Sequence, residues 1–252
     1  MSSQRIRSSR WSIGWGWTLV GLAIVLVVST SHALYRDGAL WPKSEDGITR
    51  IPVCFRTSGD YTAAEETRLR ELVREAIAAT WGRWTNIQFS GFSTCDSPVP
   101  NATLAIKLTK FAPNGEESFG GAGDIPDQTI HLSGHRGFQG STTPLFGWMQ
   151  LNDISDRHAW AVVTHEVGHA LAFEHEQSRP DAVGFCPLGD EILDGTIVTS
   201  EYDDTSTMNY CLPVDSGRLS MLDIMGAQSL YGTSAAGQWL KALPALSHMP
   251  IR

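Results

Sequence analysis

The chain has 252 residues, of which 42% are hydrophobic and 18% charged, with a formal net charge of −8. That is ordinary globular composition, enough to bury a core in one domain or in one domain with two lobes. The acidic balance, with no Lys/Arg cluster in the body of the chain, argues against nucleic acid as the main partner.

The N-terminus differs from the rest. Arg5, Arg7 and Arg10 precede an apolar run, Trp17 to Val28, and Ser29-Thr30-Ser31-His32-Ala33 follows. A basic head, an apolar middle and a small-x-small ending describe a secretory signal over 1–33, cut after Ala33. The competing reading is a membrane anchor over 11–28, just long enough to cross a bilayer. Export, to the extracellular space or a periplasm, suits Cys54, Cys95, Cys186 and Cys211, none of which lies in a CxxC pair. In an oxidising compartment they form two disulfides. Spacing does not choose among the three pairings; one bridge per half of the chain, Cys54–Cys95 and Cys186–Cys211, is the expectation.

After a lead-in from Leu34 to Thr49, Arg50 to Arg56 reads as a strand with Pro52 near its start, where it is tolerated. Thr62-Ala-Ala-Glu65 is a capping box opening a helix, with Leu69, Leu72, Val73, Ile77 and Trp81 at helical spacing. Trp84 to Phe92 reads as a second strand. Ala102 to Thr109 alternates Leu104, Ile106 and Leu108, a half-buried strand. Residues 111–127 read as a loop and Thr129–Leu132 as a short strand. His131 and His135 lack a partner at metal spacing and read as solvated or satisfied histidines.

Asp156 to Phe173 reads as a helix carrying the most informative motif, His165-Glu-Val-Gly-His169, with His175 following. Two histidines four apart share one helix face and can grip one Zn²⁺, while Glu166 can act as a general base on a water activated there. His175 lies six residues after His169 and joins them only if the chain turns sharply after the helix. Three histidines leave a coordination position open, as in catalytic rather than structural sites. Gly168 inside the helix points to close approach by another element. Residues 177–207 read as irregular. Ser220-Met-Leu-Asp223 is a second capping box, starting a last helix through Leu222, Ile224 and Leu230 that stops at Gly232.

The run His165-Glu-Val-Gly-His-Ala-Leu-Ala-Phe-Glu-His-Glu-Gln-Ser-Arg-Pro-Asp181, with Ser206-Thr-Met-Asn-Tyr210, resembles the metzincin zinc endopeptidases, most closely the astacin branch. Trp41-Pro42, Ile51-Pro52 and Leu219 to Ile224 fit the family's edges. The resemblance implies an α+β, zincin-like fold. A twisted mixed sheet and two long helices would form an N-terminal lobe over 34–176. A smaller, irregular lobe with one final helix would occupy 177–252, with the active-site cleft between them.

It also implies roles. His165, His169 and His175 would hold one Zn²⁺, with Glu166 as base and proton shuttle. Met208 would be the floor under the metal. Tyr210 would contact the metal at rest and then stabilise the oxyanion. Glu176 would hold the mature N-terminus, and Arg179 is either a wall of the pocket that reads the substrate or one partner of a surface salt bridge. The chain departs from the family at Ala172, where metzincins carry Gly because the turn is left-handed; a Cβ there costs about 1–2 kcal/mol. The lead before the first strand also leaves little room for a propeptide.

The activity implied is hydrolysis of peptide bonds in a protein or peptide substrate by a monomer, with a membrane as partner only if the N-terminal segment is retained. The alternatives are a zinc hydrolase of a non-peptide amide and a catalytically weak peptide-binding module. A module of the latter kind would be expected to lose Glu166, which is present.

Overall fold

The computed structural model describes residues 34–36, 38–57, 59–109, 130–132, 145–150, 156–182, 196–198, 202–209 and 217–238. All of them lie in the unit Ser31–Arg252. The signal over 1–33, the loop at 111–127, His135, the Cys186–Cys211 bridge and Tyr210 fall outside the described residues.

In chain order the elements are β1 (Tyr35–Arg36), β2 (Thr49–Arg56), α1 (Ala63–Ala79), α2 (Trp81–Trp84), β3 (Ile87–Thr94), β4 (Leu104–Thr109), β5 (Ile130–Leu132), β6 (Leu145–Gln150), α3 (Asp156–Ala170), β7 (Phe173–Glu174), β8 (Thr196–Ile197) and α4 (Met221–Tyr231). Helices and strands are thus mixed along the chain, with two long helices, α1 and α3, packed against each other.

The larger sheet runs β3-β2-β4-β6-β5. All its pairings are parallel except β5 with β6. Pro52 is accommodated because β4 pairs with β2 only from Val53 onward, so its missing N–H breaks no bond on that side. Strand β4 departs from the half-buried pattern its alternation suggested. Leu104, Ala105, Ile106, Leu108 and Thr109 are all buried, because an inner parallel strand is covered on both faces. Cys54 on β2 is bonded to Cys95, which follows β3.

Helix α1 opens on its expected capping box, with Glu65 N–H donating to Thr62 Oγ1 and Thr62 N–H to Glu65 Oε2. Leu69, Leu72, Val73 and Ile77 face the core. The chain breaks at Thr80, so Trp81 lies on α2 rather than on α1 or in a strand. Trp81 is fully buried and its Nε1–H donates to Thr164 O on α3 at 2.8 Å. The second strand accordingly begins at Ile87, later than the pattern suggested.

A second, three-stranded sheet has the order β7-β1-β8, with both pairings antiparallel. The lead-in is therefore part of the fold. Leu34 and Trp41 are buried, and β1 pairs directly with two residues just beyond the zinc-motif helix.

Candidate metal centre

Helix α3 carries His165 and His169 one turn apart. It ends at Ala170, and the chain reverses through Ala172, whose φ is +71°. That is the left-handed conformation the motif required, adopted by an alanine. The turn brings His175 back to the helix. Donor atoms of His165, His169 and His175 all lie within 4.8 Å of one another, and His169 Nε2 is 3.0 Å from His175 Nε2.

The ring chemistry fits a metal. His165 Nδ1 lies 2.7 Å from Thr207 O, and His169 Nδ1 lies 2.7 Å from Phe173 O. A carbonyl only accepts, so both Nδ1 atoms carry the proton and each Nε2 keeps its lone pair. Tetrahedral zinc with Zn–N bonds of about 2.0–2.1 Å needs nitrogens about 3.3 Å apart, close to the separation of His169 and His175. Among the described residues this is the one cluster able to hold a metal.

Glu166 is buried beside the cluster, with Oε1 4.0 Å from His165 Nε2. Met208 is fully buried, and a Cβ on Gly168 would overlap its Sδ. Gly168 is therefore the point where the segment carrying Met208 meets the helix. Glu176 N–H donates to Met208 O at 3.0 Å, tying that segment to the residue after His175.

One expectation is corrected. Arg179 is packed in the interior rather than standing at a pocket wall. It is 1% exposed and binds Glu176 at 3.0 Å and Asp181 at 2.8 Å. Glu176 Oε1 accepts from Arg179 and from the Asp203 amide, while its buried Oε2 has no hydrogen-bond partner among the described residues. Burial pushes the Glu176 carboxyl up to about 8, against the pull of Arg179.

One supporting residue lay beyond sequence reasoning. Asp223 of α4 is fully buried and accepts from Ser206 Oγ at 2.6 Å, Thr207 N at 2.8 Å and Ser220 N at 2.9 Å. Thr207 O in turn holds the His165 ring. The capping box was visible in the sequence; its reach to the segment that holds the His165 ring was not, because Thr207 lies sixteen residues away.

Residues 155–217 match the family model for astacin, a family of peptidases. No curated protein matches the chain. Among solved structures, the chain is similar to high choriolytic enzyme 1, a hatching enzyme zinc-protease from Oryzias latipes (Medaka fish). That match has 17% identity and a TM-score of 0.47, and covers 77% of this chain and 95% of that one. It is also similar to myroilysin, with 21% identity and a TM-score of 0.42, over 76% of this chain and 95% of that one. Residues 155–217 are therefore similar to the astacin peptidases, and the three-histidine cluster placed to hold one metal ion lies inside that segment.

Proposed function

We propose that the protein is an exported endopeptidase in which His165, His169 and His175 hold one Zn²⁺ and Glu166 is the general base. Bound zinc would supply a water of near-neutral pKa and a polarised scissile carbonyl. Glu166 takes the proton of the attacking water and delivers it to the leaving amine. Its burial strengthens its electrostatic interactions with the reacting groups. Tyr210, two residues beyond Met208, is assigned by resemblance to stabilise the oxyanion. The Cys54–Cys95 bond supports an oxidising compartment outside the cytosol.

The observation that carries this reading is a buried carboxylate beside three convergent imidazoles, two of which already have their Nδ1 hydrogens engaged. The experiment is digestion of casein by wild type and by Glu166→Gln, each with its zinc content measured. The variant should keep its zinc and lose about 10²–10⁴-fold in kcat/KM. 1,10-Phenanthroline should abolish wild-type cutting. Normal cutting by Glu166→Gln would end the assignment of the base. A zinc-loaded protein that cuts no peptide but opens a small amide would replace the substrate class.

A further inference from the structure

An α-helix leaves its last carbonyls without partners inside the helix. The end of α3 meets this problem in the turn that sets the third zinc ligand. Leu171 N–H donates back to Val167 O and Gly168 O, and Ala172 N–H to His169 O. The carbonyls of Ala170 and Leu171, just before the left-handed Ala172, are instead bound by side chains from remote parts of the chain. Trp41 Nε1–H donates to Ala170 O at 2.8 Å. Tyr231 O–H donates to Leu171 O at 2.9 Å, while its oxygen accepts from Trp41 N at 3.4 Å. Trp41, Ala170, Leu171 and Tyr231 are all buried.

The strand that follows is held from the same side. The Tyr231 ring meets Phe173 edge-on, with centroids 6.2 Å apart, and Trp81 stacks on the Phe173 ring at 5.3 Å. The Phe173 carbonyl holds the His169 ring. Burial raises the Tyr231 hydroxyl well above its ordinary value, so it stays a donor throughout the pH range of a working enzyme.

We infer that Trp41 and Tyr231 are positioning residues for the metal centre: they hold the Ala172 turn in its left-handed form and so place His175 against His165 and His169. The family's glycine needs no such restraint, since φ > 0 costs it little. An alanine in that conformation relaxes towards negative φ unless its neighbours are fixed from outside, and such relaxation would swing His175 away. Trp41 and Tyr231 never touch the metal; they act on its ligand geometry, in the way outer partners of metal ligands do.

The inference rests on zinc binding by the three histidines, and the test separates the two. Full-length protein is loaded with zinc, and release to a chelator is timed for wild type, Tyr231→Phe, Ala172→Gly and the double variant, with near-UV circular dichroism checking the fold. Tyr231→Phe keeps the ring and removes the hydroxyl, both the donor to Leu171 O and the acceptor of Trp41 N–H. It should speed release about 10-fold, and it should shift the visible absorption of the cobalt-substituted protein. In the Ala172→Gly background the same change should speed release only about 2-fold, because glycine holds the turn unaided. Equal release from wild type and Tyr231→Phe would overturn the inference. So would an identical factor in both backgrounds, which would assign the hydroxyl to general stability. If Tyr231→Phe does not fold, Trp41→Phe in the same two backgrounds decides by the same criteria. A wild type that binds no zinc would instead refute the metal assignment itself.

Discussion

Helices α1 and α4 begin with the same device, a hydroxyl at the N-cap and an acid three residues on, each bonded to the other's backbone. In α1 the acid is Glu65, exposed, and it accepts from both the N–H and the hydroxyl of Thr62. In α4 the acid is Asp223, fully buried, and one carboxylate serves the cap, Ser206 and Thr207 together. Ser220 Oγ also donates to Asp203. The motif is identical to a reader of sequence, and its energetic weight is set by what packs on top of it. A cap in water replaces bonds that water would make. A buried cap has no such substitute, so its loss leaves donors unsatisfied.

The sharpest way to break this comparison is Asp223→Ala. It should cost about 3 kcal/mol or more, since two buried donors, Ser206 Oγ and Thr207 N–H, and the half-buried Ser220 N–H lose a charged acceptor. It should also weaken zinc binding through Thr207. Urea unfolding at saturating zinc measures the first, and chelator competition the second. A cost below about 1 kcal/mol would put the two caps on the same footing.

Next in size is a pH effect. Burial raises the Asp223 carboxyl to about 6 from 3.8, over the opposing pull of Ser206, Thr207 and Ser220, with the nearby Asp203 adding to the rise. A carboxyl raised on folding contributes stability that is present below its unfolded pKa and lost as pH rises through its folded one. The stability gap between wild type and Asp223→Asn should therefore narrow by on the order of 3 kcal/mol from pH 4 to pH 7. A gap that widened would mean that the hydrogen bonds outweigh burial.

The C-terminal ends offer the same kind of contrast. Helix α4 stops at Gly232 with φ +86°, and α3 reverses at Ala172 with φ +71°. Ala172→Gly should stabilise the protein by about 1 kcal/mol, read as a higher melting temperature with zinc bound. No gain would mean that the alanine is unstrained. The smallest effect is reserved for Glu65→Ala, at about 0.5–1 kcal/mol with no change in zinc release.

What was legible follows from the range over which each signal acts. The three histidines, the left-handed turn at Ala172 and both capping boxes were readable because their partners lie close by in the chain. Gly168 was readable as a close approach, though not as a seat for Met208. Strand β6 gave no signal: Leu145-Phe-Gly-Trp-Met-Gln150 lacks alternation, as expected of a strand lying between β4 and β5 inside the sheet. The sequence did not show which face of α4 is buried: Leu222 and Leu230 are only half-buried, while Asp223, Ile224, Ala227, Gln228 and Tyr231 are buried. Arg179 was misread for a related reason. A charged side chain is assigned to an open surface or cleft by default, and only the fold reveals the acids packed with it. Trp41 could not be tied to the metal turn at all, since its carbonyl partner is 129 residues away.

The pairing of β1 with β7 bears on the order in which the molecule is made. Tyr35 faces Glu174 and Arg36 faces Phe173, so one of the first described strands closes only with a segment synthesised far later. Contacts of such wide sequence separation form slowly, because the loop between them must be closed before it is rewarded. The segment leading into His175 is thus completed by one of the widest-spanning strand pairings among the described residues.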